Sequence, residues 1–228
     1  MKGPGGRVLG FALGSAMLFA PGLLPAGAGP LDAHGALVWC TFWAAPLGVW
    51  AGAARRPGWC ALGAALGLGL VLGALAWFGA RDVPNLIAAS AVLLGGLGLG
   101  VGLGALLGPR GAAAGSALVL VAVVGLAGLP VGGGLFPSPP AAQRPAVGST
   151  LLDLSPLTWV LESAGVDWER HPAIYGPAGT DWFSGRRRAF QGAVLGPLAL
   201  LVGALAAVGG TAHAARTKRG GGALPLAR

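Results

Sequence analysis

Residues 84–136 read PNLIAASAVLLGGLGLGVGLGALLGPRGAAAGSALVLVAVVGLAGLPVGGGLF, and within them Arg110 is the only charged side chain. A helix needs about 20 apolar residues to cross roughly 30 Å of hydrocarbon. This stretch supplies two such lengths, Pro84–Gly108 and Gly111–Phe136, separated by Pro109-Arg110. Proline at the divide interrupts a helix because it lacks the N–H and crowds the preceding turn. Lipid is the solvent that such a stretch fits.

Working outward, the same pattern recurs in Val8–Gly29, Gly35–Ala54, Gly58–Ala80 and Ala189–Ala212, so six segments qualify and none contains Asp, Glu, Lys or Arg. Short breaks at Pro30–His34, Arg55–Pro57 and Arg81–Val83 separate the early spans, and one long connection runs from Pro137 to Arg188. Charge placement sets the orientation, because cytoplasmic loops carry the excess of Lys and Arg. With the N-terminus inside, the inner side holds Lys2, Arg7, Arg55, Arg56, Arg110, Arg216, Lys218, Arg219 and Arg228, nine basic residues and no acid. The outer side holds Arg81, Arg144, Arg170 and Arg186 to Arg188 together with all seven acids, Asp32, Asp82, Asp153, Glu162, Asp167, Glu169 and Asp181. The expected fold is therefore an all-α integral membrane protein with six transmembrane helices, both termini cytoplasmic, and one long outer loop between spans five and six. Its parts are a five-span region over 1–136, an extracytoplasmic loop over 137–188 with a short amphipathic helix at 156–164, a sixth span over 189–212 and a basic tail over 213–228. The first segment also fits a cleaved signal peptide, with Lys2 and Arg7 ahead of an apolar run ending in Pro25-Ala26-Gly27-Ala28. Cleavage leaves five spans and an outer N-terminus.

Composition excludes other classes. Of the 228 residues 54% are hydrophobic and 10% charged, against about 25% charged in soluble domains. A net charge of +8 ordinarily suggests phosphate binding, but here the basic residues are explained by membrane orientation, and no nucleic-acid partner is expected. The 44 glycines follow no collagen repeat, and their abundance with Ala and Arg is the mark of GC-rich coding. A prokaryotic plasma membrane is the expected location.

Ionisable groups at membrane depth mark proton relays, ion sites and intramembrane catalysis, and the spans have none. Their side-chain polarity is limited to groups such as Ser15, Thr41, Asn85, Ser90, Ser116 and Thr211. No catalytic, cofactor or metal site is expected there. Cys40 and Cys60 fall toward opposite ends of spans two and three, too far apart for a disulfide.

Close packing is the stronger signal. Gly96, Gly100, Gly104 and Gly108 recur every four residues on one face of span four, with Gly98 and Gly102 on another. Lacking side chains, they let helix backbones approach where lipid supplies no hydrophobic drive, so a helix–helix seam is expected. Gly6-Gly10-Gly14, Gly48-Gly52, Gly63-Gly67 and Gly192-Gly196 repeat the spacing. Pro21, Pro25, Pro46, Pro130 and Pro197 lie within spans and predict kinks. Trp39, Trp43, Trp50, Trp59 and Trp77 fall at span ends, as interfacial anchors do.

The outer connection opens on a proline-rich stretch, Phe136 to Pro145. Ser155-Pro156-Leu-Thr-Trp-Val-Leu-Glu-Ser-Ala-Gly165 follows, with a capping serine, a first-turn proline and an exit glycine. Leu157, Val160, Leu161 and Ala164 share a face, placing this helix on the membrane surface or over the span ends. Beyond it Asp167, Glu169, Arg170 and His171 concentrate polar groups. In an extended strand Asp167, Glu169 and His171 share one side, but the spacing matches no metal signature, and solvated ion pairs are the plainer reading. Arg186, Arg187 and Arg188 suit lipid phosphates or an acidic partner.

This organisation resembles the permease subunit of ABC-2-type exporters. Leu99-Gly-Val-Gly-Leu-Gly-Ala-Leu-Leu-Gly-Pro-Arg-Gly-Ala-Ala-Ala114 is similar to that family's turn from the fourth to the fifth span. Leu154-Ser-Pro-Leu-Thr-Trp-Val-Leu-Glu162 resembles its asparagine-proline-leucine-threonine-tyrosine stretch, with Ser155 in place of asparagine. The similarity covers about the last 130 residues. It implies six spans, cytoplasmic termini, an outer connection with short helices, and a cytoplasmic ATPase as energy source. Such permeases also carry a coupling helix between spans two and three, where Arg55-Arg56-Pro57 leaves almost no room. Two functions are therefore expected: a transport permease component energised by a separate subunit, or a non-catalytic structural or assembly subunit of a membrane complex. The partners are the lipid bilayer and either that ATPase or other membrane subunits.

Overall fold

The computed structural model describes residues 4–23, 33–78, 85–128, 153–165 and 192–220. These residues are helical, with no strand among them: α1 (Pro4–Phe19) and a 3-10 turn (Ala20–Leu23), α2 (Ala33–Ala53), α3 (Pro57–Phe78), α4 (Leu86–Gly128), α5 (Pro156–Ser163) and α6 (Gly192–Gly220). Four of them, α2, α3, α4 and α6, are long and apolar enough to cross a membrane, whereas the apolar part of α1, Val8–Phe19, is shorter.

Local chemistry accounts for the ends. Pro21 terminates α1, whose last turn tightens into the 3-10 segment. Pro57 opens α3, where its missing N–H costs nothing. Asn85 caps α4, its Oδ1 accepting from the Ala88 N–H at 3.1 Å. Ser155 caps α5 with Pro156 in the first turn, and Gly165 leaves it at φ 74°. Pro46 lies within α2 and Pro197 within α6, and both helices continue past them. Pro25 and Pro130 lie outside the described residues.

At 43 residues, a straight α4 would reach about 64 Å, twice the hydrocarbon thickness. It is not straight. Gly108 adopts φ 66° and ψ −176°, a region essentially reserved for glycine, and the following Pro109 disfavours the helical conformation there. A Cβ placed on Gly104 would stand 2.9 Å from Val49 Cα, and one on Gly115 would stand 3.6 Å from Val49 Cγ1. In a straight helix Gly104 and Gly115 would be about 16 Å apart along the axis. Their shared neighbour means that the chain turns back at Gly108.

Alternate helices run parallel. Gly63 and Gly67 of α3 face Ala12 and Ala16 of α1, Gly48 and Gly52 of α2 face Gly100 and Ala105, and Gly95 and Gly102 face Ala199 and Ala206 of α6. In each pair the numbers rise together. The first half of α4 is central, with its most extensive contacts to α2 and α6. The main core gathers Phe19, Leu37, Cys40, Leu75, Ala89 and Leu93, with Val160, Leu161 and Ala164 of α5 added to it. Thus α5 packs over the end where α1 and α3 finish and α2 and α4 begin.

The two ends differ in charge. Asp153 and Glu162 lie at the end covered by α5, whereas Arg55 and Arg56 occupy the 54–56 connection at the other, with Arg110 just beyond Gly108 and Arg216 on the last turns of α6.

Candidate functional site

The first half of α4 presents glycine on two sides, and each side receives a different helix. Toward α2, Gly48 opposes the Leu97 carbonyl and the Gly100 Cα, and Gly104 opposes Val49. A Cβ at Gly48 would come within 3.0 Å of Gly100 Cα, and one at Gly52 within 2.9 Å of the Ala105 nitrogen. Toward α6, a Cβ at Gly95 would meet Ala199 Cβ at 3.0 Å, and one at Gly98 would meet Gly203 Cα at 3.1 Å. Further along, Gly102 opposes Ala206 and Gly210. Residues 98 and 100 are two positions apart and therefore point to nearly opposite sides of a helix. Backbone lies against backbone along both seams, a separation only residues without side chains permit.

Of the four glycines singled out in span four, Gly100 and Gly104 stand in the α2 seam. Gly96 has nothing within 4 Å of a built Cβ, and Gly108 forms the break. Gly95 and Gly203 belong to the contact with α6 and escaped notice in the sequence, where 44 glycines obscure the few that touch a neighbour. A third seam joins α1 and α3 at Gly63 and Gly67, while Gly10 and Gly14 face open space.

Four hydroxyl groups of the long helices are turned onto their own backbone. Ser15 Oγ donates to the Phe11 carbonyl at 2.6 Å, Thr41 Oγ1 to Leu37 at 2.7 Å, Ser90 Oγ to Leu86 at 2.7 Å and Thr211 Oγ1 to Ala207 at 2.8 Å. Each bond reaches back four residues, so these groups add no polarity to the space between helices. Trp39 Nε1 donates to the Leu18 carbonyl at 2.8 Å, satisfying one of the carbonyls left over at the end of α1. Its ring lies 6.0 Å from that of Trp43. Trp39 thus ties α2 to α1, whereas Trp50, Trp59 and Trp77 are exposed.

At the α5 end, the Asn85 N–H donates to the Ala164 carbonyl at 3.0 Å, joining the start of α4 to the end of α5. Trp159 Nε1 donates to the Asp153 carbonyl at 2.8 Å, bracing the approach to the helix. Ser163 Oγ is buried without a hydrogen-bond partner. Cys40 is a buried thiol and Cys60 a half-buried one. Asp167, Glu169, Arg170, His171, Arg186, Arg187 and Arg188 lie outside the described residues, and among those described no three of His, Cys, Asp and Glu come together.

No family model, no curated protein and no solved structure matches the chain.

Proposed function

We propose that the protein is a non-catalytic, multi-span subunit of a membrane assembly, working through helix packing in the plasma membrane of a prokaryote. In this reading the halves of α4 are separate spans joined at Gly108. With α1, α2, α3 and α6 they make six, and the basic end faces the cytoplasm. The parallel pairing of alternate helices supports that count, because a serpentine chain brings every second span into the same direction. The opposite charges at the two ends support the orientation.

One observation carries the functional reading. Among the described residues, the first half of α4 is sealed against α2 and α6 by glycine contacts, and the Thr41, Ser90 and Thr211 hydroxyls bond to carbonyls of their own helices, which gives a polar solute no path along these seams. The α2–α3 connection of three residues, 54–56, likewise offers little on which an ATPase could bear. A second reading, a transport permease component driven by a cytoplasmic ATPase, draws support from α5, which sits over the ends of α2 and α4 where an outer gate would stand.

Affinity purification of the full chain in mild detergent separates the two. Stoichiometric recovery of other membrane subunits without an ATPase is the expected result. Nucleotide-dependent recovery of an ATPase would overturn it in favour of the permease. Recovery of the chain alone would contradict both.

A further inference from the structure

A groove of about 590 Å³ runs between α1 and α3. Ala12 and Ala65 line its depth, and the exposed Leu9, Leu62, Leu66 and Leu70 flank it. Along α3 it extends from Trp59 to Leu70, about 16 Å at the helical rise, or close to the hydrocarbon depth of one leaflet. Because α1 and α3 are parallel, Gly5 and Trp59 mark the same end, and Arg55 and Arg56 stand exposed just before it. One mouth of an otherwise apolar slot therefore carries an indole at the headgroup level, and two exposed arginines stand in the connection that leads into it.

We propose that this groove is a site for an anionic phospholipid of the leaflet that contains the 54–56 connection. One acyl chain lies between α1 and α3, and the phosphate is held by Arg55 and Arg56. The occupant is specified by its shape and charge together: an apolar tail one leaflet long, ending in a negative head. A guanidinium pairs with a phosphate through two parallel hydrogen bonds, and basic groups beside a bilayer select anionic over zwitterionic lipid. Gly69 opens on the groove with nothing within 4 Å of a built Cβ, so a side chain there fills the slot without forcing the helices apart.

The test is native mass spectrometry of the full chain in mild detergent after equilibration with phosphatidylglycerol or phosphatidylcholine. Phosphatidylglycerol should be retained in preference. R55Q/R56Q should lower its retention about thirtyfold, the combined effect expected of two basic residues beside an anionic headgroup, while R55K/R56K keeps most of it. Gly69→Leu should lower it too, with both arginines in place and an unchanged helical circular dichroism spectrum. Equal retention of the two lipids would overturn the proposal, as would unaltered retention in R55Q/R56Q and Gly69→Leu. Loss of a dimer rather than of lipid in Gly69→Leu would assign the groove to a second copy of the chain.

Discussion

Two serines eight residues apart show how differently one side chain can act. Ser155 Oγ accepts from the Thr158 N–H at 3.4 Å and starts α5, whereas Ser163 Oγ is buried without a partner. Ser155→Ala should lower stability by about 1 kcal/mol, the usual cost of a lost cap. Ser163→Ala should be neutral or stabilising, since an unpaired buried hydroxyl costs about 1–3 kcal/mol. Thermal denaturation in detergent compares them directly, and equal losses would refute the assigned roles. Trp39→Phe removes the indole donor to the Leu18 carbonyl and should cost about 1 kcal/mol, with α1 loosening first in hydrogen exchange. The cap at Ser155 was legible in the sequence because capping is local chemistry. The bond from Trp39 was not, since it joins residues 21 apart in the chain, and a tryptophan near a span end suits an interface equally well.

For whole helices, what decides the packing is which glycines meet a neighbour. Gly104→Leu should separate α2 from α4, since even a Cβ would lie 2.9 Å from Val49 Cα. The cost should exceed the ~1–3 kcal/mol of ordinary overpacking, because the obstacle is backbone. Gly10→Ala, in the open, should instead stabilise α1 by about 0.5–1 kcal/mol through helix propensity. Equal thermal shifts in the two variants would show that the seam is misplaced. Gly108→Ala should cost about 1–3 kcal/mol for its backbone conformation. Spacing alone made Gly100 and Gly104 legible as a packing pair and drew in Gly96 and Gly108 with them. A four-residue repeat records that residues share a face, but not how far the neighbouring helix extends. The break at Gly108 was legible through Pro109, whose ring acts on the residue before it.

Over the molecule as a whole, apolar length and charge segregation reduce the problem to helices threading a bilayer. Both signals survive without knowledge of any contact, because lipid imposes them on the chain as a whole. The arrangement around α4 needed three dimensions: seams on opposite sides of one helix place α2 and α6 far apart in sequence but at the same hub.

The α5 end and the Arg55-Arg56 connection should lie on opposite sides of a membrane. Single cysteines at Leu154, which is 50% exposed, and at Arg56, in a chain with Cys40 and Cys60 replaced by alanine, test this with a membrane-impermeant maleimide. Intact cells should label Leu154→Cys and spare Arg56→Cys until they are lysed. Labelling of both positions from the same side would place the two ends of the helices on one face and overturn the membrane-spanning arrangement.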